Sequence, residues 1–362
     1  MKQKYIIAID SFKGCLTSAE AAGVAASAIK ACRNDAETVC LPVSDGGEGM
    51  AEAFTAALGG DIITTPVHDL MMRRTEASYG VTADGTAVIE AAKACGLTLV
   101  RKDERNPMRA TTYGVGELVA AAVKRGCRNF IIGLGGSGTS DAGIGMLRDL
   151  TDILAPRGGN IDDALAAIKG RCSFTLACDV DNPLLGPDGA AAVFGPQKGA
   201  TPDMLPQLER RAERFARAAA LHCGYDRSAC SGAGAAGGLG YAFMQFLDAV
   251  MRPGADLLLD LVHFDSLLDG AACVITGEGH ADGQTLMGKL PLRVMRRAAD
   301  KGVPTWLLAG SVTDRRSLID AGFALAESIT PGDMSLDEAM KKDVAKRNLY
   351  SAIVRILDNN NL

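Results

Sequence analysis

The chain of 362 residues is 48% hydrophobic and 22% charged, ordinary proportions for a globular protein and long enough for about two domains. A net charge of −5 with only 5% aromatic residues supplies neither a general attraction for nucleic acid or anionic membrane nor base-stacking platforms. No apolar run approaches the ~20 residues of a membrane span, and the ten cysteines, none in a C-x-x-C pair, read as small buried hydrophobes in a reducing cytoplasm.

The basic residues Lys2 and Lys4 precede a short apolar run that ends in Asp10, so the N-terminus reads as a first strand over 5–9 and not as a signal peptide. Thr17 followed by Glu20 predicts a capping box, with Leu16 as its hydrophobic staple. Ala21, Val24, Ala25, Ala28, Ile29 and Cys32 then share one helical face. A right-handed crossover returns the chain to a strand over 39–43. Residues 60–90 read as a β-rich ribbon of three strands (62–67, 76–81 and 87–90), broken by Gly80 and by Asp84-Gly85. A helix over 112–125 leads into a strand over 130–134, and another strand covers 174–177. Residues 204–222 form a charged amphipathic helix, and 232–240 a glycine cluster. Near the C-terminus the pattern repeats that of the start: a strand over 273–276, a helix over 291–301, and a strand over 305–309. The fold expected is α/β, with a discontinuous outer domain (1–60 plus 270–362) and a second α/β domain (61–269) inserted into it.

Five of these strands run into Gly/Asp/Ser-rich loops, beginning at Asp10, Ser44, Gly135, Cys178 and Gly277. In open parallel sheets, ligands bind outside the carboxyl ends of the strands, where glycines let backbone N–H groups approach anions. Loops that offer both bare backbone and carboxylates suit a phosphorylated ligand with Mg²⁺. Phosphoryl transfer is therefore the expected chemistry. Such a reaction needs one carboxylate to accept the hydroxyl proton and others to hold the metal. Asp10, Asp45, Glu48, Asp141, Asp179, Glu278 and Asp282 all occupy these loops, although each taken singly is also a plausible helix cap. Asp179 is the preferred base, unranked against Asp45 and Asp282, and Asp45 and Glu48 are the expected metal ligands. Lys13 is the preferred cation for an anion site beside a helix N-terminus, and Lys198, in a Gly/Pro loop, is a second candidate.

Other motifs carry less. Gly133-Leu134-Gly135-Gly136-Ser137-Gly138 and Gly232-Ala233-Gly234-Ala235-Ala236-Gly237 both fit G-x-G-x-x-G. The first lacks the later acidic residue of a dinucleotide site, and the second follows no strand. An NAD-dependent oxidoreductase is thus an outsider, and a phosphate cradle over 135–141 is preferred. A Walker-like run from Gly283 to Lys289 fails at Leu290, where Ser or Thr should reach Mg²⁺. Lys289 either contacts a phosphate or lies at a solvated helix start. The four histidines share no metal-ligand spacing, and no G-x-S-x-G elbow supports a hydrolase.

Taken in order, the loops resemble the bacterial glycerate kinases of the first type. The similarity is carried by Asp10-Ser11-Phe12-Lys13, by Ser44-Asp45-Gly46-Gly47-Glu48-Gly49, by Gly135-Gly136-Ser137, and by Cys178-Asp179-Val180. It continues through Phe194-Gly195-Pro196-Gln197-Lys198-Gly199 and Thr276-Gly277-Glu278-Gly279. The resemblance implies ATP- and Mg²⁺-dependent phosphorylation of D-glycerate, usually to 2-phosphoglycerate. It also implies two α/β domains, one flavodoxin-like, with the active site in the cleft between them. Transferred onto this chain, it implies catalytic roles for Asp179, Asp45 and Lys13, with Asp10, Ser11, Lys198, Asp282 and Gln284 at the substrate. Gly135, Gly136, Ser137, Asp141, Gly277, Glu278 and Gly279 would meet the nucleotide phosphates. The expected protein is cytoplasmic and a monomer or homodimer, with no nucleic-acid or membrane partner. The chain departs from the family at Ile9 (commonly Pro), Gly14 (commonly Glu) and His280 (commonly Arg). The last change removes a permanent cation from a site loop and leaves a kinase of a related small hydroxy acid as an alternative; a 3-phosphate product is a separate one. A non-catalytic sensor is the remaining outsider.

Overall fold

The computed structural model describes residues 2–12, 14–44, 47 and 49–359. Lys13, Asp45 and Glu48, expected in the catalytic and metal-binding roles, lie outside the described residues. The strands run in chain order β1 (Lys4–Ile9), β2 (Glu37–Cys40), β3 (Gly60–His68), β4 (Arg74–Thr82), β5 (Ala87–Glu90) and β6 (Asn129–Gly133). They continue as β7 (Ser173–Ala177), β8 (Val250–Arg252), β9 (Ala271–Ala281), β10 (Thr305–Val312) and β11 (Leu325–Ser328). Contacts divide the chain into one unit of residues 1–45 with 255–362 and a second of residues 46–254.

The first unit is built on a five-stranded sheet in the order β11-β10-β9-β1-β2, parallel throughout. Its strands are apolar on both faces because helices cover both. On β10, Trp306 and Leu308 point into one core with Tyr5, Ile29 and Leu349. The alternate residues Leu307 and Ala309 enter a separate core with Leu292, Met295 and Phe323. The first core is closed by the helices Ser18–Cys32 and Lys342–Asn359. The predicted capping box is present, Thr17 accepting from the Glu20 N–H and Glu20 from the Thr17 N–H. From β1 the chain crosses to β2 on one side, and from β9 to β10 on the other. The carboxyl ends of β1 and β9 therefore mark the point where the winding reverses.

The second unit has a six-stranded sheet in the order β3-β4-β5-β6-β7-β8. The ribbon β3-β4-β5 is antiparallel, and β5 to β8 are parallel. The carboxyl ends of β5, β6 and β7 therefore deliver Glu90, Gly135-Gly136 and Asp179 to one edge. In its core Phe130 stacks on Phe174, and Phe243 packs tilted against Phe174.

Three details differ from the sequence expectations. The division falls after residues 45 and 254, earlier than 60 and 270, because the helix Met50–Leu58 packs on β3, β4 and β5. The helix Gly254–Leu261 is likewise tied forward, Arg297 Nη2 lying 2.6 Å from Asp260 Oδ1. Gly80 does not break the ribbon but sits inside β4. A Cβ there would fall 1.8 Å from Thr55 Oγ1, so the missing side chain is what lets the helix lie on the sheet. Finally, β9 continues through the expected loop at 277–281, because Glu278, His280 and Ala281 pair with Ala309, Ser311 and Val312 of β10.

Candidate active site

At the winding reversal of the first unit, the Asp10 N–H donates to the Gly277 carbonyl at 2.9 Å. The Asp10 carboxylate accepts from the Ser11 N–H at 2.7 Å, and is largely buried. Asp10 and Ser11 thus lie beside Gly277, Glu278 and Gly279 at the ends of β1 and β9. Glu278 is buried, and its oxygens are already engaged: Thr285 Oγ1 donates at 2.7 Å and Lys289 Nζ lies at 3.3 Å. Lys289 therefore has an ion-pair partner within its own unit. Thr285 Oγ1 in turn accepts from the Asp282 N–H at 3.1 Å, and Asp282 Oδ1 accepts from the Gln284 N–H at 2.8 Å. This chain of bonds holds Asp282 and the exposed Gln284 in a fixed turn after β9. His280 projects from β9 to solvent, its Nδ1 2.7 Å from Ser311 Oγ and its Nε2 3.6 Å from Asp282 Oδ2.

In the second unit the loop after β6 is less open than a phosphate cradle requires. Gly136 is exposed and Gly135 half-buried, but residues 137–141 are buried. Asp141, expected at a phosphate, is turned inward. Its carboxylate accepts from the N–H groups of Thr112 (2.8 Å), Gly143 (3.1 Å) and Gly145 (3.1 Å), and from the Thr112 hydroxyl (3.0 Å). It caps the helix Ile144–Leu154 and ties it to the start of Tyr113–Arg125.

Lys198, expected on the substrate, is also turned inward, with 2% of its surface exposed. Nζ donates to the Thr139 carbonyl at 2.7 Å and to Ser137 Oγ at 3.2 Å. Burial pushes its ammonium down to about 8, against the opposing influence of Cys95 and Asp141. It braces the glycine loop from within. The second glycine cluster supports that loop from the other side: Ala142 N–H donates to the Gly237 carbonyl at 3.0 Å. A Cβ at Gly237 would lie 2.0 Å from the Thr139 carbonyl oxygen, and Ala236, Gly237 and Gly238 all have positive φ. This explains a glycine-rich run that follows no strand.

Asp179 lies two positions beyond the end of β7, after Cys178, and is exposed. Its loop is anchored where Ser231 Oγ donates to Asp181 Oδ1 at 2.6 Å and Gly234 N–H to the Asn182 carbonyl at 2.9 Å. Sequence reasoning missed Glu90, which ends β5 without a glycine beside it. Its carboxylate is buried and accepts from the Ala51 N–H at 2.8 Å, holding the first turn of Met50–Leu58 just after the Asp45–Gly49 segment. Burial raises its pKa.

Among the described residues, no group of three or more His, Cys, Asp or Glu side chains is arranged to hold a metal ion. The two expected ligands lie outside those residues, and Mg²⁺ commonly takes one or two carboxylates together with substrate phosphates and water. The donor chemistry of Asp45 and Glu48, two carboxylates three positions apart, suits such an ion. Among the described residues, no helix is long and apolar enough to cross a membrane.

Comparison with known proteins places this architecture. The Glycerate kinase family matches residues 5–359. The chain is 42% identical to a glycerate kinase of Bacillus subtilis, covering 93% of each sequence. It is 37% identical to a glycerate 2-kinase of Escherichia coli, again covering 93% of each. A crystal structure from Salmonella typhimurium LT2, provisionally assigned as glycerate kinase 2, superposes with a TM-score of 0.84 at 35% identity, covering 99% of this chain and 98% of that one. With the match running nearly end to end, the chain belongs to the glycerate kinase family.

Proposed function

We propose that this chain transfers the γ-phosphoryl group of ATP to D-glycerate, giving 2-phosphoglycerate. The observation that carries the proposal is near-complete coverage of sequences named glycerate kinase and glycerate 2-kinase. Asp179 is our candidate for the base that accepts the proton of the acceptor hydroxyl, a role that suits an exposed carboxylate at a strand end. Asp45 and Glu48 are our candidates for holding Mg²⁺, which when bound neutralises charge on the transferring group. Gly135 and Gly136 offer backbone to a phosphate, while Lys198 and Asp141 act through the loop that they brace. Lys13, Asp10, Ser11, Asp282 and Gln284 complete the proposed set at the first unit's strand ends. A cytoplasmic location and a monomeric or dimeric state belong to the same proposal.

A second reading, a kinase of a related small hydroxy acid, is favoured by His280, whose ring nitrogens face Ser311 and Asp282. Having histidine in place of arginine removes a permanent cation from this loop. The test supplies D-glycerate and MgATP and couples the product to enolase without phosphoglycerate mutase. Enolase signal identifies the 2-phosphate, whereas ADP without enolase signal identifies the 3-phosphate. No ADP with D-glycerate overturns the proposal in favour of another hydroxy acid. Asp179→Asn should lose turnover with ATP binding intact, and Asp45→Asn should shift the Mg²⁺ dependence. Near-normal rates in both would remove these assignments.

A further inference from the structure

The first unit contains a cavity of about 250 Å³ at the carboxyl ends of its strands. Its floor is the backbone of Gly279 and Gly310, from β9 and β10, and its walls are Phe12, Ile329, Met334 and Met340. Ser311, Thr330 and Asn348 are the polar groups that line it. It opens beside the β1/β9 reversal, where Asp10 meets Gly277.

We propose that this cavity seats the purine base of ATP, with the phosphates lying outside it along the strand-end loops. This rests on the kinase reading and adds where the nucleotide is recognised. Four observations argue for it. Sites that enclose whole drug-sized ligands run to ~300–1,000 Å³, so a cavity of about 250 Å³ takes a fragment of a nucleoside triphosphate and not the whole.

Its walls are apolar, which suits a flat heterocycle. Among the described residues that line the cavity there is no cation to pair with the carboxylate of a three-carbon hydroxy acid. Its polar groups suit a base edge. The Asn348 amide carries both donor and acceptor and spends its Nδ2 on the weak acceptor Met334 Sδ at 3.4 Å, a contact easily exchanged for a ring nitrogen. The location agrees with the rule that nucleotides bind at the winding reversal of open α/β sheets.

The experiment uses the full chain and three probes: ATP, adenosine and D-glycerate. Calorimetric titration with adenosine alone, without acceptor, should give saturable binding that ATP abolishes. Ala339→Phe, which fills the cavity from its half-buried rim, should raise KM for ATP at least tenfold and leave KM for D-glycerate within twofold. Asn348→Ala, a smaller change, should weaken adenosine severalfold, and circular dichroism checks that both variants are folded. The proposal is overturned if adenosine fails to bind at millimolar concentration. It is also overturned if folded Ala339→Phe leaves KM for ATP within twofold, or raises KM for D-glycerate instead. Adenosine binding in a chain that does not turn over D-glycerate would sink the proposed activity and leave the base site standing.

Discussion

Asp149 lies on the helix Ile144–Leu154 with no measurable exposure, and among the described residues neither carboxyl oxygen has a hydrogen-bond partner of normal geometry, although the nearby Tyr113 opposes the rise in its pKa. The helix Tyr113–Arg125 closes over it so tightly that a Cβ on Gly116 would stand 2.6 Å from the Asp149 Cβ. Burial, reinforced by Glu117 and Asp152, raises the carboxyl from 3.8 to about 7. The folded state thus binds this proton more tightly than the unfolded chain does. The associated stability is complete below about pH 4 and is lost as pH rises through about 7. At ~1.4 kcal/mol per pH unit, raising pH from about 5 to 8 costs ~3 kcal/mol at this one group. Asp149→Asn has nothing to ionise, so its stability relative to the native chain should rise by that amount over the same interval. Chemical denaturation followed by circular dichroism, on both proteins at each pH, isolates the difference because all other groups cancel. A difference that stays constant with pH would mean that Asp149 titrates normally, and would refute the reasoning.

Lys198→Met removes the donor shared by the Thr139 carbonyl and Ser137. It should lower kcat at least tenfold and cost ~2 kcal/mol of stability, as expected for a buried charged hydrogen bond; unchanged kinetics would free Lys198 of its bracing role. Gly80→Ala drives a methyl group into Thr55 and should destabilise by ~1–3 kcal/mol. Adding Thr55→Ala should recover part of that loss in thermal unfolding. Glu20 pairs with Lys342 at 2.7 Å and Lys346 at 3.1 Å, and these partners hold its carboxyl down at about 2. Glu20→Gln should cost ~1 kcal/mol after solvent screening. That cost should be fully present above about pH 4.5 and vanish as the pH falls toward 2.

What could be read in the sequence was local. The Thr17–Glu20 capping box spans four residues, and the strand-end loops announce themselves by glycines adjoining an apolar run, so both were legible in advance. Asp141 was not, because its partners Thr111 and Thr112 arrive from thirty positions earlier, and a carboxylate in a loop looks the same whether it faces solvent or a helix end. Lys198 shows the same limit: its charge suggested display, and only tertiary packing reveals 2% exposure. Gly237 and Gly238 gave no strand–loop signature because a Cβ there would meet the Thr139 carbonyl and Ala142, about a hundred residues away. Glu90 went unnoticed for want of a neighbouring glycine.

The order of strands in the first sheet has a consequence for synthesis. Strand β1 is made first, yet its neighbour β9 begins at Ala271 and ends at Ala281. At ~5–20 residues per second, β1 waits roughly 15–50 s with only β2 beside it and one edge unpaired. During that wait the whole of residues 46–254, a contiguous unit, has emerged and can fold. The segment most exposed to mispairing in the nascent chain is therefore the apolar run of β1, and a chaperone that shields it would act before any residue of β9 exists.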